Sequence, residues 1–409
     1  MPDARLRSWA GVMSPRNRFS ASLSDAGVAA FGRAGTTRAQ RYVVAGHEYR
    51  PFTGLPEWLA TRSEDHKFLA DICEMEHDVH VHKVFDITEP ALIEHRHGYV
   101  FLRSGLNLES MTYWELDEGP PPKAFRDYLS WRAGNDSIAF FPQVVSLRAR
   151  WEGNFWHFHD NVLSKLMVVD NLGIADGIPL LVGKALWHSR FFSQIRALPG
   201  FRERNWVLHD RPVRTDRTII CLEGSFRLAN MNYAHKTLTD GSADEPSPGS
   251  TASQSARSQP LLFLSRREGL ERHLDNERDL ADHLVPEGFA MLDAEQLCLE
   301  DRREIFRHAR CVVLPQGAGL ANLVHRIGGS AGVVEILPGD KRLHQPYGAW
   351  LCRELGFAYR AVVGSPLTPR GSFTVDVAKV MSAVRAVSRE QSGPNVAAPR
   401  LAPTPVRSG

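Results

Sequence analysis

Cys311-Val312-Val313-Leu314-Pro315-Gln316-Gly317-Ala318-Gly319-Leu320-Ala321-Asn322 is the stretch on which the fold is decided. Four apolar residues in a row read as a buried strand ending at Leu314, a turn carries Gly317 and Gly319, and a helix is expected from Leu320 to Ile327. Glycine lets the backbone come close to a ligand, and a helix N-terminus offers free N–H donors and partial positive charge. A diphosphate suits such a turn. Packing of strand against helix explains it equally well when it is taken alone.

The same rhythm surrounds it. Leu261–Leu264 and Phe289–Leu292 read as strands, Glu277–Leu284 and Asp301–Arg310 as helices, and Val333–Leu337 as a further strand. Upstream, short apolar runs at 138–145, 179–182, 205–208 and 218–222 are separated by helix-length segments. Phe155, Phe158, Val162, Leu166 and Val169 recur at helical spacing and fall on one face. Strand–helix alternation of this kind builds parallel sheets. Residues 80–112 alternate apolar and polar instead, around Gly98 and Gly105, as short strands or hairpins do. The expected fold class is α/β. The expected organisation is a flexible extension (1–40), a first α/β unit (41–238), a polar linker or insertion (239–260), a second, Rossmann-like unit (261–384) and a disordered tail (385–409). Two such units enclose a cleft at the carboxyl ends of their strands.

Composition excludes several classes. At 43% hydrophobic and 23% charged, the chain has the make-up of a globular protein, and a net charge of +2 gives no footprint for nucleic acid. No run reaches the eighteen or so apolar residues of a membrane helix, and the first 35 residues lack the apolar core of a secretory signal. Five cysteines without a CxxC pair fit a reducing compartment, with Cys221 and Cys311 expected in the core. A cytoplasmic protein is expected, either free or peripheral to the inner face of the membrane. The sequence leaves its oligomeric state open.

Three groups of residues could carry chemistry. The turn Gln316-Gly317-Ala318-Gly319-Leu320 is one. Ser265-Arg266-Arg267 follows a strand, so both cations would point into the cleft, where an arginine fork matches phosphate oxygens; a solvated charge run is the plainer reading. Asp275 or Asn276 reads as the cap of the helix opened by Glu277. In Asn154-Phe155-Trp156-His157-Phe158-His159-Asp160-Asn161, helical spacing puts His157 on a face with Asp160 and Asn161, opposite the apolar stripe. That face is either solvated or presents a base to the cleft. Histidines also gather at His77, His80, His82, His95 and His97. A metal site is conceivable there, but its carboxylate partners cannot be located, and solvent-facing strand residues are expected. No metal site and no cofactor is expected, and no Asp-x-Asp triplet exists to hold a metal against a diphosphate.

Three blocks in order resemble the family 61 glycosyltransferases, the group that includes bacterial capsular-polysaccharide biosynthesis proteins: Gly153-Asn154-Phe155-Trp156-His157 with Asp160; Leu264-Ser265-Arg266-Arg267 with Arg272 and Asn276-Glu277; and Gly317-Ala318-Gly319-Leu320-x-Asn322 with Val333-Val334-Glu335-Ile336. The likeness covers roughly residues 80–365. It implies a GT-B architecture of two Rossmann-like domains, a nucleotide-sugar donor (often a UDP-sugar), a glycan acceptor and inverting, metal-independent transfer. On that reading Arg266, Arg267, Gln316, Gly317, Ala318, Gly319 and Leu320 hold the diphosphate. Asn322 and Glu335 face the ribose or the sugar, and His157 is the base, with Asp160 orienting it or serving as the base itself. Asn154, Asn161, Asn276 and Glu277 are further cleft candidates. The family places histidine where this chain has Gln316, which can hydrogen-bond but cannot carry charge. A nucleotide-sugar epimerase, a hydrolase, or a degenerate module that binds nucleotide or glycan without turnover are the rival readings.

Overall fold

The computed structural model describes residues 43–49, 62–63, 65, 80–103, 107–108, 122–134, 137–149, 151–174, 177–222, 228–239, 261–266, 271–326, 330–340 and 347–392. The expected extension, most of the linker, Arg267, Cys73 and His77 lie outside these residues, as do the side chains of His80 and His82.

The first sheet is built from strands β1 (Val43–Tyr49), β2 (His80–Ile87), β3 (Ala91–Ile93), β4 (Val100–Leu102), β5 (Asn107–Leu108), β6 (Ala139–Ser146), β7 (Leu180–Gly183), β8 (Trp206–His209) and β9 (Val213–Leu222). Its order is β5-β4-β3-β9-β6-β7-β8, with β2 also on β9 and β1 on β2. β9, β6, β7 and β8 run parallel, whereas β1 to β5 add antiparallel partners. The alternating segment after residue 80 thus forms hairpins, and the continuous apolar runs form the doubly covered parallel part. Helix α1 (Pro122–Arg132) lies on the hairpin end, where Tyr128 stacks on Phe101 with ring centroids 5.2 Å apart.

Helix α2 (residues 155–171) carries the expected apolar face into the core. It is not uniform: Phe155–His157 and Leu163–Asn171 are α-helical, and Phe158–Val162 between them is a π-helical turn. Helices α3 (Arg190–Arg196) and α4 (Leu228–Thr239) complete this part.

The second sheet contains β10 (Leu261–Leu264), β12 (Ala290–Leu292), β13 (Cys311–Pro315), β14 (Gly332–Leu337) and β15 (Ala358–Val363), all parallel, in the order β12-β10-β13-β14-β15. β11 (His273–Leu274) and β16 (Ser372–Phe373) pair beside it. Alternate residues serve opposite faces. Phe263, Val313, Val334 and Ile336 pack under helices α5 (Glu277–Leu284) and α8 (Val377–Ser392). Leu262, Leu264, Val312, Leu314 and Val333 join a core that continues through α6 (Leu299–His308) and α7 (Tyr347–Leu355) into Phe158, Leu166 and Val182 of the first part. One apolar cluster therefore spans both sheets.

Three expectations change. The segment after Gly319 is a 3-10 helix, Ala318–Arg326, beginning two residues early. The tail expected from residue 385 is helical to Ser392, because Val380, Val384 and Val387 complete an apolar stripe against β14 and β15. His95 and His97 sit in the turn after β3, not on a strand face. No helix among the described residues is long and apolar enough to cross a membrane.

Candidate functional site

The order of the second sheet locates the site. From β10 the chain crosses to β12 on one side, then returns to β13 on the other. Connections leaving two adjacent strands in opposite directions open a crevice at their carboxyl ends. There the Ser265-Arg266 loop and the Pro315–Gly319 turn face one another across a cavity of about 430 Å³. Its opposite wall is Asn154, Phe155 and Phe191, from the first part of the chain.

Arg266 dominates this crevice. Its Nη1 donates to the Gln316 carbonyl at 2.9 Å. The guanidinium lies so close over Gly317 that a Cβ there would meet Nη1 at 2.0 Å. Gly317 has no positive φ among the described glycines, so close approach and not backbone freedom requires glycine. Arg266 Nε is buried without a hydrogen-bond partner. No ion-pair partner reaches Arg266 among the described residues, and burial, then the charge of Arg272, holds its pKa down to about 10. It remains a cation at neutral pH with donors unspent. Glu277 fixes the loop from below: its carboxylate accepts from Ser265 Oγ (2.6 Å) and from Arg266 N–H (3.1 Å).

Arg302 is the second cation of the cavity, and the sequence reading passed over it. It is 8% exposed, lies 4.5 Å over the Phe155 ring, and burial first of all lowers its pKa to about 10. Its Nε donates to the Leu297 carbonyl at 3.3 Å. The signal was present as an arginine on the apolar side of α6, between Leu299, Ile305 and Phe306. Asn322 reaches the same cavity. Its Nδ2 donates to the Gly319 carbonyl (3.0 Å), and its Oδ1 is buried and unpartnered.

Arg272 is the one non-glycine residue with a positive φ (65°) among those described. Such a conformation is costly and persists where surrounding contacts impose it. Its Nη1 donates to Gln316 Oε1 at 3.4 Å, and its charge acts on both His157 and Glu335. Gln316, 7% exposed, thus gives its backbone carbonyl to Arg266 and its side-chain carbonyl to Arg272.

Asn154 caps the start of α2, accepting from the N–H of Trp156 (2.9 Å) and His157 (3.4 Å). His157 is half-buried; its Nδ1 donates to Asn161 Oδ1 at 3.1 Å, which leaves Nε2 as the acceptor of the neutral ring. Burial lowers its pKa most; Asn161 raises it and Arg272 lowers it again. The imidazole is therefore unprotonated at neutral pH, as a base must be. The side chain that orients it is Asn161, four residues on, and Asp160 touches Asn161 (3.4 Å) instead. His159 turns inward: its Nδ1 donates to the Phe155 carbonyl at 2.7 Å, and burial holds its pKa down to about 4.

Two further candidates stand elsewhere. Asn276 makes no side-chain cap; it clasps the Val375 backbone through Nδ2 (2.8 Å) and Oδ1 (3.1 Å). Glu335 lies below the cavity wall, 2% exposed, accepting from Tyr359 Oη at 2.7 Å, with burial raising its pKa to about 7. Glycine at 348 is needed to make room for it, since a Cβ there would meet Glu335 Oε2 at 2.1 Å.

The arrangement is a crevice with two cations, half-buried Arg266 and buried Arg302, and a wall from the capped start of α2; His157 and Arg272 are not among the residues that line it. No curated protein matches the chain. The family model described as Glycosyltransferase 61 matches residues 155–326, from the first turn of α2 through the end of the 3-10 helix. Over that segment, which supplies residues of both walls of the crevice, the chain is similar to the glycosyltransferases of family 61.

Proposed function

We propose that the protein transfers a sugar from a nucleoside diphosphate sugar, with UDP as the nucleotide, to a hydroxyl of a glycan acceptor, as a cytoplasmic step in building a surface polysaccharide. The observation that carries this reading is Arg266, a half-buried guanidinium seated on Gly317, with its Nε buried and unpartnered, at a cavity that also holds Arg302. In this reading the diphosphate lies between the two cations. The Asn322 amide and the backbone from Gly317 to Leu320 complete the cradle, and Gln316 aligns Arg266 with Arg272.

The acceptor oxygen attacks the anomeric carbon as the bond from that carbon to the phosphate oxygen breaks, and its proton passes to His157 Nε2. The electron pair leaves with the diphosphate, where arginine charges supply what a metal supplies in other sites. Attack from the face opposite the leaving group inverts the anomeric centre. The two parts of the chain act as the two lobes of a GT-B enzyme, the second holding the donor.

The experiment is release of UDP from a panel of UDP-sugars, with calorimetric UDP binding, for the wild type, Arg266→Ala and His157→Ala. Arg266→Ala should lose binding and turnover together; His157→Ala should keep UDP binding and lose transfer. Folded variants that both turn over donor at the wild-type rate would sink the assignment.

A further inference from the structure

A cluster of ligand-type side chains lies outside the crevice, where the turn after β3 meets α1. Glu94, His95 and Asp127 each offer one atom there, and the three atoms lie within 4.8 Å of one another. The sequence brings two of these together; only the fold adds Asp127.

The local chemistry is that of a prepared site. Glu94 is fully buried, and its carboxylate is fixed by the turn it sits in, accepting from the N–H of Arg96 (2.6 Å) and of His97 (2.8 Å). Each carboxylate oxygen keeps a further lone pair. His95 Nδ1 lies 3.8 Å from one oxygen and His97 Nδ1 3.5 Å from the other. Three buried atoms at this spot have no hydrogen-bond partner: His95 Nδ1, His97 Nδ1 and Asp127 Oδ2. Buried polar atoms are nearly always paired, so two orphan imidazole nitrogens beside the Glu94 carboxylate and a third orphan on the clustered Asp127 ask for a common partner. Asp127 is held there by its neighbours, since Tyr128 and Trp131 pack with Leu92, Tyr99 and Phe101.

We propose that Glu94, His95 and Asp127 bind a divalent first-row cation, zinc in the first place, with water or His97 in the fourth position. One imidazole and two carboxylates form a donor set of intermediate hardness, which suits zinc over calcium or magnesium. Ligand atoms around tetrahedral zinc stand roughly 3.4 Å apart, so small side-chain rotations close the site. The ion is a brace. The carbonyls of His95 and Arg96 accept from Arg148, whose Nε holds Glu152 at 2.9 Å, two residues before Asn154 opens α2. It stands apart from the cleft chemistry and does not rest on the proposed transfer.

The test uses the full chain stripped with a chelator, then titrated with zinc against a chromophoric competitor and followed by metal analysis and thermal unfolding. One zinc per chain and a raised Tm are expected. Asp127→Asn and His95→Gln should each weaken binding at least about tenfold, while replacing His80 and His82 by alanine should leave it unchanged. Cobalt substitution of the wild type reads the ligands without any variant, and no thiolate charge-transfer band is expected. No stoichiometric zinc, wild-type affinity in both variants, loss with His80 and His82, or a thiolate band would each overturn the proposal.

Discussion

Gly317→Ala tests the reasoning about the crevice with a single methyl group. The three heavy atoms nearest the new Cβ would all belong to Arg266: Nη1 at 2.0 Å, Cζ at 3.2 Å and Nη2 at 3.8 Å. The guanidinium must therefore retreat by at least about 1.4 Å to reach ordinary contact at 3.4 Å, and its 2.9 Å bond to the Gln316 carbonyl breaks. The backbone should tolerate alanine, because Gly317 is not in the left-handed region. Fold stability should change little, by less than about 1 kcal/mol, since a freed guanidinium can turn to water. Ligand binding should change much more. A charge-assisted hydrogen bond is worth about 1.5–3 kcal/mol, which corresponds to roughly a 10- to 150-fold weaker Kd for UDP. The assay is calorimetric titration of UDP into Gly317→Ala, Arg266→Ala and the double variant. The alanine acts only through Arg266, so the double variant should bind no worse than Arg266→Ala alone. Wild-type affinity in Gly317→Ala, or two losses that simply add, would refute the placement of Arg266 over this turn.

Arg302→Lys keeps the charge and loses the planar contact with Phe155, so UDP affinity should fall several-fold with little change in Tm; unchanged affinity in Arg302→Ala would remove this residue from the site. Asn161→Asp places a negative charge on His157 Nδ1 and stabilises the imidazolium, so the acid limb of the kcat/KM profile, expected below pH 6.5 in the wild type because burial lowers this pKa, should move to higher pH. A limb that stays in place would mean that His157 is not the base. Glu335 has a folded pKa raised from 4.5 to about 7, so between those values the folded state holds a proton that the unfolded state has lost. Its contribution therefore lowers stability as pH rises through that window. Glu335→Gln keeps an acceptor for Tyr359 and should flatten this slope in denaturant titrations at stepped pH.

Much of the second sheet was legible because its strands are continuous apolar runs and the loops between them are polar. Helix α5 falls at the residues its pattern implied, Glu277–Leu284. What escaped was set by contacts distant in sequence. Arg302 lies on the face of α6 that its neighbours Ile305 and Phe306 mark as core, and only the Phe155 ring, supplied from far upstream, makes that face a tolerable place for a cation. Asn276 looked like a cap by its local pattern, yet the Val375 backbone offers it a donor and an acceptor together. The π turn in α2 leaves no trace in apolar spacing, because Phe158 and Val162 stay on the buried face on either side of it. Asn161 was placed correctly near His157 by helical spacing, and its role emerged from the orientation of two side chains, which spacing does not encode.

The position of Gln316 follows from the arginines around it. Arg266 is made less basic by Arg272, and Arg302 by Arg190, so the free crevice carries mutual repulsion as well as the cost of burying charge. Glu335, the acid beneath Arg272, has a pKa raised to about 7 and offsets only part of this. A histidine at 316 could take up a proton and add a further positive charge between Arg266 and Arg272. Glutamine adds no charge and supplies an acceptor to Arg272, while its backbone supplies another to Arg266. The departure from the pattern of the family it resembles thus fits the local charge balance, for glutamine holds two cations in register and leaves the positive field to be neutralised by the diphosphate of the proposed donor.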